Sequence, residues 1–360
     1  MRPRIVVTGL GFALCAGAIA WGVLSDARTA HWEALLAQIE SAEDRLPFEG
    51  VREAGSGAET VRLRIVSREG RKRVEFLGLR GGVKPLPGPR GPRVPFFGGM
   101  PIVFRPGEGP WKKRIKDLDL AVRNYDVVRI GPETVAGRAA EVIELRPRFA
   151  GRPGYRVAAD LENRFPLSFQ VVQGPETIFE SRFESIAFPP AGAGKALEEP
   201  PRRPGWLRIE REECPREELP RRLGYALWLP SALPPGFEAR GSEILRLKVQ
   251  VPEAAREAMK SFLPIGLPRV DVPVAHVHYT DGLAAFSVVE CPAGSELWKF
   301  LKNFVPSDGP ATSGGRVVVR KFADRRGSAF LLELGGTVVV VAGNVSAGEI
   351  ERIIPTFERR

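Results

Sequence analysis

The feature that most constrains the fold of this chain is a series of short segments in which apolar and polar residues alternate. In residues 60–67, apolar side chains from Val61 to Ile65 occupy every second position, with Arg62 and Arg64 between them. This period of two is typical of a β-strand with one buried face. Comparable segments cover residues 73–79, 125–130, 134–145, 155–161, 167–173 and 177–188. Because short turns join these segments, the sequence predicts an antiparallel sheet and not a Rossmann-like fold with helical crossovers.

A helix should precede these strands, and Thr29 can cap its start. Apolar side chains then recur at the i, i+3, i+4, i+7 spacing of one helix face: Trp32, Leu35, Leu36 and Ile39. We expect this face to pack on the sheet.

A second set of strand-like segments begins near residue 225. Asp281 and Gly282 lie between two of them and are a strong signal for a two-residue β-hairpin turn. Near the C-terminus, Ser346 and Glu349 have the spacing of a capping box that opens a helix. The sequence therefore predicts an α+β chain with antiparallel sheets.

The chain is long for one domain at 360 residues, so we expect two. The linker candidate covers residues 191–220, which are rich in Pro, Gly, Ala, Glu and Arg. The predicted division is a signal peptide or membrane anchor at 1–27, an N-terminal domain at 28–190, and a C-terminal domain at 221–360.

The N-terminus predicts export. Arg2 and Arg4 precede an apolar stretch from Ile5 to Leu24, within which Ala18-Ile19-Ala20 has the small-x-small form of a signal-peptidase site. The stretch of about 20 residues would also suffice to span a bilayer. We therefore expect the chain in the periplasm, either released by cleavage or retained at the inner membrane by an uncleaved anchor.

A segment rich in proline and glycine, residues 84–111, interrupts the N-terminal strands. Proline removes donors from a β-ladder, so this segment should not be a central strand. It nevertheless carries apolar residues that are candidates for the mouth of a lipid- or peptide-binding groove: Phe96, Phe97, Met100 and Phe104. The alternative is an insertion that tucks these side chains into the core.

Charge and motif content argue against several functions. The net charge is +10, but 53 basic and 43 acidic residues are spread over the chain without a dense basic run, so no nucleic-acid partner is predicted. No GxSxG, Walker, HExxH or strand-flanked GxGxxG motif is present, and we expect no enzyme and no cofactor. A catalytic triad is spatial, however, so the missing motifs are not proof.

Histidine and cysteine are scarce. His276 and His278 alternate along one predicted strand, but no third ligand is evident, so no metal site is predicted. Outside the export segment the cysteines are Cys214 and Cys291. An oxidising compartment would permit a disulfide bond between them, and the alternative is two unrelated thiols.

Several local sequence phrases follow one another in a distinctive order. They are Tyr125, Val135-Ala136-Gly137-Arg138, Arg146-Pro147-Arg148, Gly154-Tyr155 and Asp160, then Pro234-Pro235-Gly236-Phe237 and Asp281-Gly282-Leu283-Ala284. This order resembles the MucB/RseB family of periplasmic regulators of envelope-stress sigma factors. The resemblance runs from about Trp32 to Phe357.

The resemblance implies a fold and a function. The implied N-terminal domain is similar to the Lol lipoprotein carriers, a curved open antiparallel sheet with helices on its concave face, and a smaller α+β domain follows it. The implied function is to bind the periplasmic segment of a membrane-spanning anti-sigma factor, shield it from proteolysis, and sense envelope lipids such as lipopolysaccharide. The alternative function is a periplasmic carrier of lipids or lipoproteins.

Overall fold

The computed structural model describes residues 30–57, 59–69, 71–80, 116–190, 207–249, 270–295, 298, 311–313, 316–324 and 327–360. The predicted export segment and the aromatic residues of segment 84–111 lie outside the described residues. Within the described ranges, no helix has the length and apolar character needed to cross a membrane.

The N-terminal domain is built on one open sheet of eight antiparallel strands. These are β1 (Phe48–Ser56), β2 (Glu59–Arg68), β3 (Arg71–Arg80), β4 (Tyr125–Val135), β5 (Arg138–Pro147), β6 (Gly154–Asp160), β7 (Pro166–Gln173) and β8 (Glu176–Ala187). Their spatial order is β3-β2-β1-β8-β7-β6-β5-β4, so β3 and β4 are the two edges among the described strands, and they do not pair with each other. The predicted antiparallel arrangement is confirmed.

Two helices cover one face of this sheet. The first, α1, spans residues 30–45, and the second, α2, spans Leu118–Asn124. Asp117 caps α2 by accepting the N–H of Leu120 at 3.0 Å. The predicted apolar face of α1 is confirmed, since three of its residues are buried in a cluster with strand residues: Leu35, Leu36 and Ile39. We call this side of the sheet the helix-bearing face.

The C-terminal domain contains a second sheet of eight antiparallel strands. They are β9 (Leu207–Glu213), β11 (Glu238–Val249), β12 (Val270–Thr280), β13 (Ala285–Pro292), β14 (Ala311–Ser313), β15 (Arg316–Asp324), β16 (Gly327–Leu334) and β17 (Thr337–Gly343). Their order is β14-β15-β16-β17-β13-β12-β11-β9. Two short strands, β10 (Trp228–Pro230) and β18 (Phe357–Arg359), pair with each other, and the described part of this domain contains the α-helices α3 (Leu219–Leu223) and α4 (Ala347–Ile353). The α+β fold class is confirmed.

Strand β9 shortens the predicted linker of residues 191–220. It pairs with β11 from Leu207 opposite Val249 to Glu213 opposite Glu243, so it is part of the C-terminal sheet. The prolines of the predicted linker lie outside β9, at or before Pro204 and again at Pro215 and Pro220. Because every residue of β9 retains its N–H, the segment can join a β-ladder.

The turn at Asp281 is also longer than the two residues predicted. Strand β12 ends at Thr280 and β13 begins at Ala285, so four residues connect them. The Asp281 carboxylate accepts the N–H groups of Leu283 and Ala284, at 3.1 and 2.8 Å. An aspartate that bonds its own following backbone stabilises a turn of this kind without a type I′ geometry.

Cys214 and Cys291 are both free thiols, and both are buried. Cys214 packs in the core cluster that contains Ala275, whereas Cys291 packs in the cluster that contains Val274. Because Val274 and Ala275 are consecutive in β12, they point to opposite faces of the sheet. The sheet therefore separates the two thiols, and the bridge that the sequence left open is not formed.

Candidate functional site

Side chains from both domains meet at a buried junction, and Arg152 lies at its centre. Its side chain is 1% exposed. Nη1 donates to Asp281 Oδ2 at 2.9 Å, and Nε donates to Glu349 Oε1 at 3.1 Å. Nη2 donates to the carbonyl oxygen of Pro235. All three acceptors belong to the C-terminal domain. The Arg152 side chain of the N-terminal domain therefore binds three separate segments of the C-terminal domain.

Two aromatic rings enclose this guanidinium group. Its Cζ lies 4.6 Å from the ring centroid of Phe149 and 4.7 Å from that of Phe237. Phe149 belongs to the β5–β6 loop that also carries Arg152, whereas Phe237 comes from the other domain. Attraction between a cation and an aromatic face is stronger where water is excluded. A planar guanidinium suits this site because it can stack and donate several hydrogen bonds at once.

The acceptor Asp281 is fully buried and is satisfied from both domains. Tyr125 donates its hydroxyl to Asp281 Oδ2 at 3.1 Å. Burial raises the pKa of Tyr125 far above its ordinary value, so the hydroxyl keeps its proton and remains a donor. With Arg152 and two backbone N–H groups as further donors, the carboxylate has the partners that a buried charge requires.

The turn that follows Asp281 enters the N-terminal domain. Leu283 is buried in the cluster formed by the apolar face of α1 and the β4–β7 strands. Gly282 lies so close to α2 that a Cβ atom placed on it would be 2.2 Å from the backbone nitrogen of Ala121. The Gly282 carbonyl accepts the N–H of Lys116 at 2.7 Å. The turn of residues 281–284 therefore inserts into the N-terminal domain, and we call it the plug. Glycine is required at position 282, where the turn touches the helix backbone.

Amide side chains complete the junction. Asn124 donates to the carbonyl oxygens of Gly236 and Asp281, both at 2.9 Å. Asn344 donates to the hydroxyl oxygen of Tyr155 at 3.2 Å. The two domains thus share hydrogen bonds and an apolar cluster, in the manner of a continuous core.

A second candidate region is an apolar row on the helix-bearing face. Leu63 pairs with Phe76, and Val61 pairs with Leu79, across strands β2 and β3. Alternate residues of a strand share a face, so these side chains lie on the same side as the buried Ile65. Exposure rises along the row: Ile65 is buried, whereas Phe76 is 42% exposed. The row extends to β3, the last strand at this end of the described sheet, and offers apolar surface to a ligand.

The opposite face of strands β1, β2 and β8 is polar. It carries cross-strand ion pairs between Arg62 and Glu184, Arg64 and Glu49, and Arg182 and Glu133, at 2.5, 2.5 and 2.6 Å. Exposed pairs of this kind contribute little stability, about 0–1 kcal/mol each. The two faces therefore differ in character, and an apolar ligand would bind on the helix-bearing face.

The predicted groove residues Phe96, Phe97, Met100 and Phe104 lie outside the described residues, and their role stays a prediction. His276 and His278 do share a face of β12, as their alternation predicts. Among the described residues, no group of three His, Cys, Asp or Glu side chains could hold a metal ion. No local pattern indicated Arg152, whereas Asp281 was interpreted as part of a turn and of a family phrase, and Glu349 was interpreted as a capping residue.

Comparison with known proteins identifies the N-terminal domain. Residues 31–199 match the family description MucB/RseB N-terminal domain. The predicted resemblance to the MucB/RseB family is confirmed. The open sheet with its helix-bearing face lies within the residues that match this domain family.

A curated relative extends the similarity. The chain is 28% identical over 245 residues to the sigma factor AlgU regulatory protein MucB of Pseudomonas aeruginosa. The alignment covers 68% of this chain and 63% of that relative, so it spans less than two thirds of the relative's length.

Solved structures of MucB share the fold of both domains. A crystal structure of MucB in complex with MucA(peri) aligns with a TM-score of 0.53 at 17% identity, covering 91% of this chain and 98% of that one. A crystal structure of MucB aligns with a TM-score of 0.50 at 20% identity, covering 92% and 98%. At these identities the likeness establishes the fold alone.

Proposed function

We propose that this chain regulates an extracytoplasmic-function sigma factor from the periplasm. It binds the periplasmic segment of a membrane-spanning anti-sigma factor and shields that segment from proteolysis. The observation that carries the proposal is the 28% identity over 245 residues to a sigma factor regulatory protein. The complex of MucB with MucA(peri), whose fold this chain shares, supports the class of partner.

The junction at Arg152 suits such a binding role. Because its hydrogen bonds hold the two domains together, a partner that touches both domains meets one preorganised surface. Preorganisation lowers the ordering cost of association. The net charge of +10 favours a partner segment that carries acidic residues.

The apolar row supplies a place for an envelope lipid. An acyl chain laid along Leu63, Phe76 and Leu79 would bury apolar surface, while a positively charged protein would favour an anionic headgroup. We propose that a lipopolysaccharide-like amphiphile binds there and opposes the anti-sigma segment. The chain would then act by binding, as both sensor and shield.

The second candidate function is that of a lipid or lipoprotein carrier, and the exposed ring of Phe76 is the observation that favours it. A carrier needs the apolar row to bind lipid but does not need to bind an anti-sigma segment. The two functions therefore differ in one measurable property, which is affinity for the peptide.

The test uses the exported chain and the fluorescently labelled periplasmic segment of the anti-sigma factor from the same organism. We expect saturable binding by fluorescence anisotropy and slower cleavage of the segment by its site-1 protease when the chain is present. If the segment binds no better than a scrambled peptide while fatty-acid probes do bind, the carrier function replaces the regulator.

A further inference from the structure

Three polar side chains form a line across the C-terminal sheet in the order carboxylate, imidazole, hydroxyl. They are Glu243 on β11, His276 on β12 and Ser287 on β13. His276 Nδ1 lies 2.7 Å from Glu243 Oε1, and His276 Nε2 lies 2.8 Å from Ser287 Oγ. Both distances are those of full hydrogen bonds.

The strand register explains how these residues meet. Glu243 is directly opposite His276, and Ser287 is directly opposite His278. Since residues two apart on a strand share a face, the Ser287 hydroxyl is a diagonal neighbour of the His276 ring. The three residues are 33 and 11 positions apart in sequence, and strand pairing brings them together, so no local motif reveals them.

The Glu243 carboxylate determines which nitrogen of the His276 ring carries the proton. Burial opposes ionisation of Glu243, but the hydrogen bond from His276 and the positive charge of Arg211 lower its pKa below the ordinary value. An ionised carboxylate only accepts, so in the neutral ring Nδ1 carries the proton and Nε2 is free to accept. Nε2 therefore accepts the hydroxyl proton of Ser287. A nucleophile bonded to a base that a third group orients is the arrangement of an activated hydroxyl.

A second histidine lies beside the hydroxyl. His278 is the cross-strand neighbour of Ser287. Burial lowers the pKa of His278 to about 4, with the nearby His276 and Lys116 acting in the same direction. A neutral imidazole keeps one N–H, which can donate to an oxyanion as it forms. The strand register thus places a second imidazole residue opposite Ser287.

The line is reachable from solvent yet partly enclosed. The side chains of His276 and Glu243 are 18% and 17% exposed, and Ser287 is half-buried. Partial burial strengthens electrostatic interactions relative to open water.

We propose that Glu243, His276 and Ser287 form a nucleophilic acyl-transfer site whose substrates are carboxylic esters. The inference goes beyond the proposed regulatory function and does not depend on it. Ser287 Oγ attacks the ester carbonyl carbon while its proton moves to His276 Nε2. The bond to the leaving alkoxide then breaks, and His276 returns the proton to that oxygen. Water attacks the acyl-Ser287 ester through the same base, releasing a carboxylic acid and restoring the hydroxyl.

The experiment treats the full exported chain with a fluorophosphonate probe, which phosphonylates activated serines, and maps the adduct by mass spectrometry. Hydrolysis of p-nitrophenyl butyrate is followed in parallel. We expect a single adduct on Ser287 and a burst of p-nitrophenol that approaches one equivalent of protein. S287A should abolish both, and H276N should slow labelling by about 100-fold, the scale of general-base assistance.

Ser231→Ala is the matched control, because Ser231 is an exposed serine of the same domain, outside this line. It should label and hydrolyse like the wild type. Thermal unfolding of each variant checks that the domain remains folded. Either of two results on folded protein overturns the proposal: no adduct on Ser287 in the wild type, or equal labelling rates for H276N and the wild type. Binding of the anti-sigma segment by S287A is measured separately, so failure of the regulatory function is distinguished.

Discussion

At the scale of single residues, Glu290 is a carboxyl group buried in the core of the C-terminal domain, with 1% of its surface exposed. Its oxygens accept the N–H of Trp228 at 2.9 and 3.1 Å. Among the residues that the structure describes, no cation pairs with it. Burial raises the pKa of Glu290 to about 8, against the weaker opposing effect of the Trp228 N–H.

This shift makes stability depend on pH in a defined direction. In the unfolded chain the group titrates near pH 4.3, about the ordinary value for glutamate. The folded state therefore holds a proton that the unfolded state has lost, and the contribution to stability falls as pH rises from about 4.3 towards 8. The loss is about 1.4 kcal/mol per pH unit in that window.

E290Q should remove this dependence, because an amide does not ionise. Urea denaturation of the wild type and E290Q at pH 5, 7 and 9 measures the effect. We expect the variant to gain stability relative to the wild type as pH increases, with little further change above pH 9. Parallel stability curves for the two proteins would show that Glu290 is ionised in the folded state at neutral pH.

Arg152 presents the opposite situation, a buried cation with two carboxylates. Arg152→Ala leaves Asp281 and Glu349 buried without their guanidinium partner, and Glu349 Oε2 already lacks a hydrogen bond in the described structure. Breaking a buried pair in this way costs about 3–5 kcal/mol. The free energy of unfolding from chemical denaturation measures the loss.

Arg148→Ala is the matched control for Arg152→Ala. Arg148 also follows strand β5, but its ion pair with Asp126 is exposed. We expect a change of no more than about 1 kcal/mol for this variant. Similar losses for both variants would mean that burial at the junction adds nothing to the Arg152 contacts.

At the scale of elements, the β12–β13 turn joins the domains. Gly282 has φ of 109° and lies against the backbone of α2. Gly282→Ala should therefore separate the turn from the helix, because the new methyl group would meet Ala121 and the backbone conformation would be strained. The strain alone costs about 1–3 kcal/mol. Small-angle scattering should show a larger radius of gyration for the variant.

Gly336→Ala is the control for Gly282→Ala, because it introduces backbone strain without a steric clash. Gly336 has φ of 83° in the β16–β17 turn, with no atom within 4 Å of an added Cβ. This control should lose stability through strain but keep the wild-type scattering profile. If Gly282→Ala also keeps the wild-type profile, the plug is not what holds the domains together.

The apolar row of β2 and β3 makes a prediction about ligand binding. Phe76→Ser removes the most exposed ring of the row and should weaken binding of a fluorescent fatty acid without unfolding the domain. Loss of a large apolar contact corresponds to about 1.5–3 kcal/mol. Titrations below the micelle threshold measure the affinity, and circular dichroism checks the fold.

Ile130→Ser serves as the control for Phe76→Ser. Ile130 is 49% exposed on the opposite edge strand β4, away from the row. Fatty-acid affinity should be unchanged in this variant. Equal losses for the two variants would indicate non-specific adsorption to exposed apolar side chains.

At the scale of the whole molecule, the sensor and shield functions require that two ligands oppose each other. By linkage, an amphiphile weakens peptide affinity by the same factor that the peptide weakens amphiphile affinity. We expect a coupling free energy of about 1–3 kcal/mol, the usual range for allosteric pairs. Peptide titrations at increasing amphiphile concentrations measure this coupling. Peptide affinity that stays constant while the lipid site fills would contradict the sensing mechanism.

Much of the architecture could be predicted because it depends on local patterns. The alternation at Val61, Leu63 and Ile65 identified β2, and the spacing from Leu35 to Ile39 identified the buried face of α1. The linker was predicted too long at its C-terminal side, because proline content marks where a ladder cannot form but not where the next strand begins. Local sequence also revealed the capping role of Ser346, whose hydroxyl accepts the N–H of Glu349 at 3.3 Å.

The hydrogen-bond partner of the Glu349 side chain is decided by the other domain and not by the local sequence. A capping box would turn its carboxylate back to the helix start, but the structure directs Oε1 to Arg152, which is 197 residues away in sequence. Likewise, Asp281 and Gly282 signal a turn in any context, and only the neighbouring domain makes that turn a plug.

The sequence by itself therefore determined the period of the strands, the apolar helix face and the resemblance to the MucB/RseB family, and it predicted an export signal. Each depends on residues close together in the chain or on the order of short phrases. Only the tertiary structure decided which charges are buried together at Arg152 and which hydroxyl lies against His276. The physical reason is that burial and hydrogen-bond partners are properties of three-dimensional neighbours, and strand pairing brings together residues that no local pattern connects.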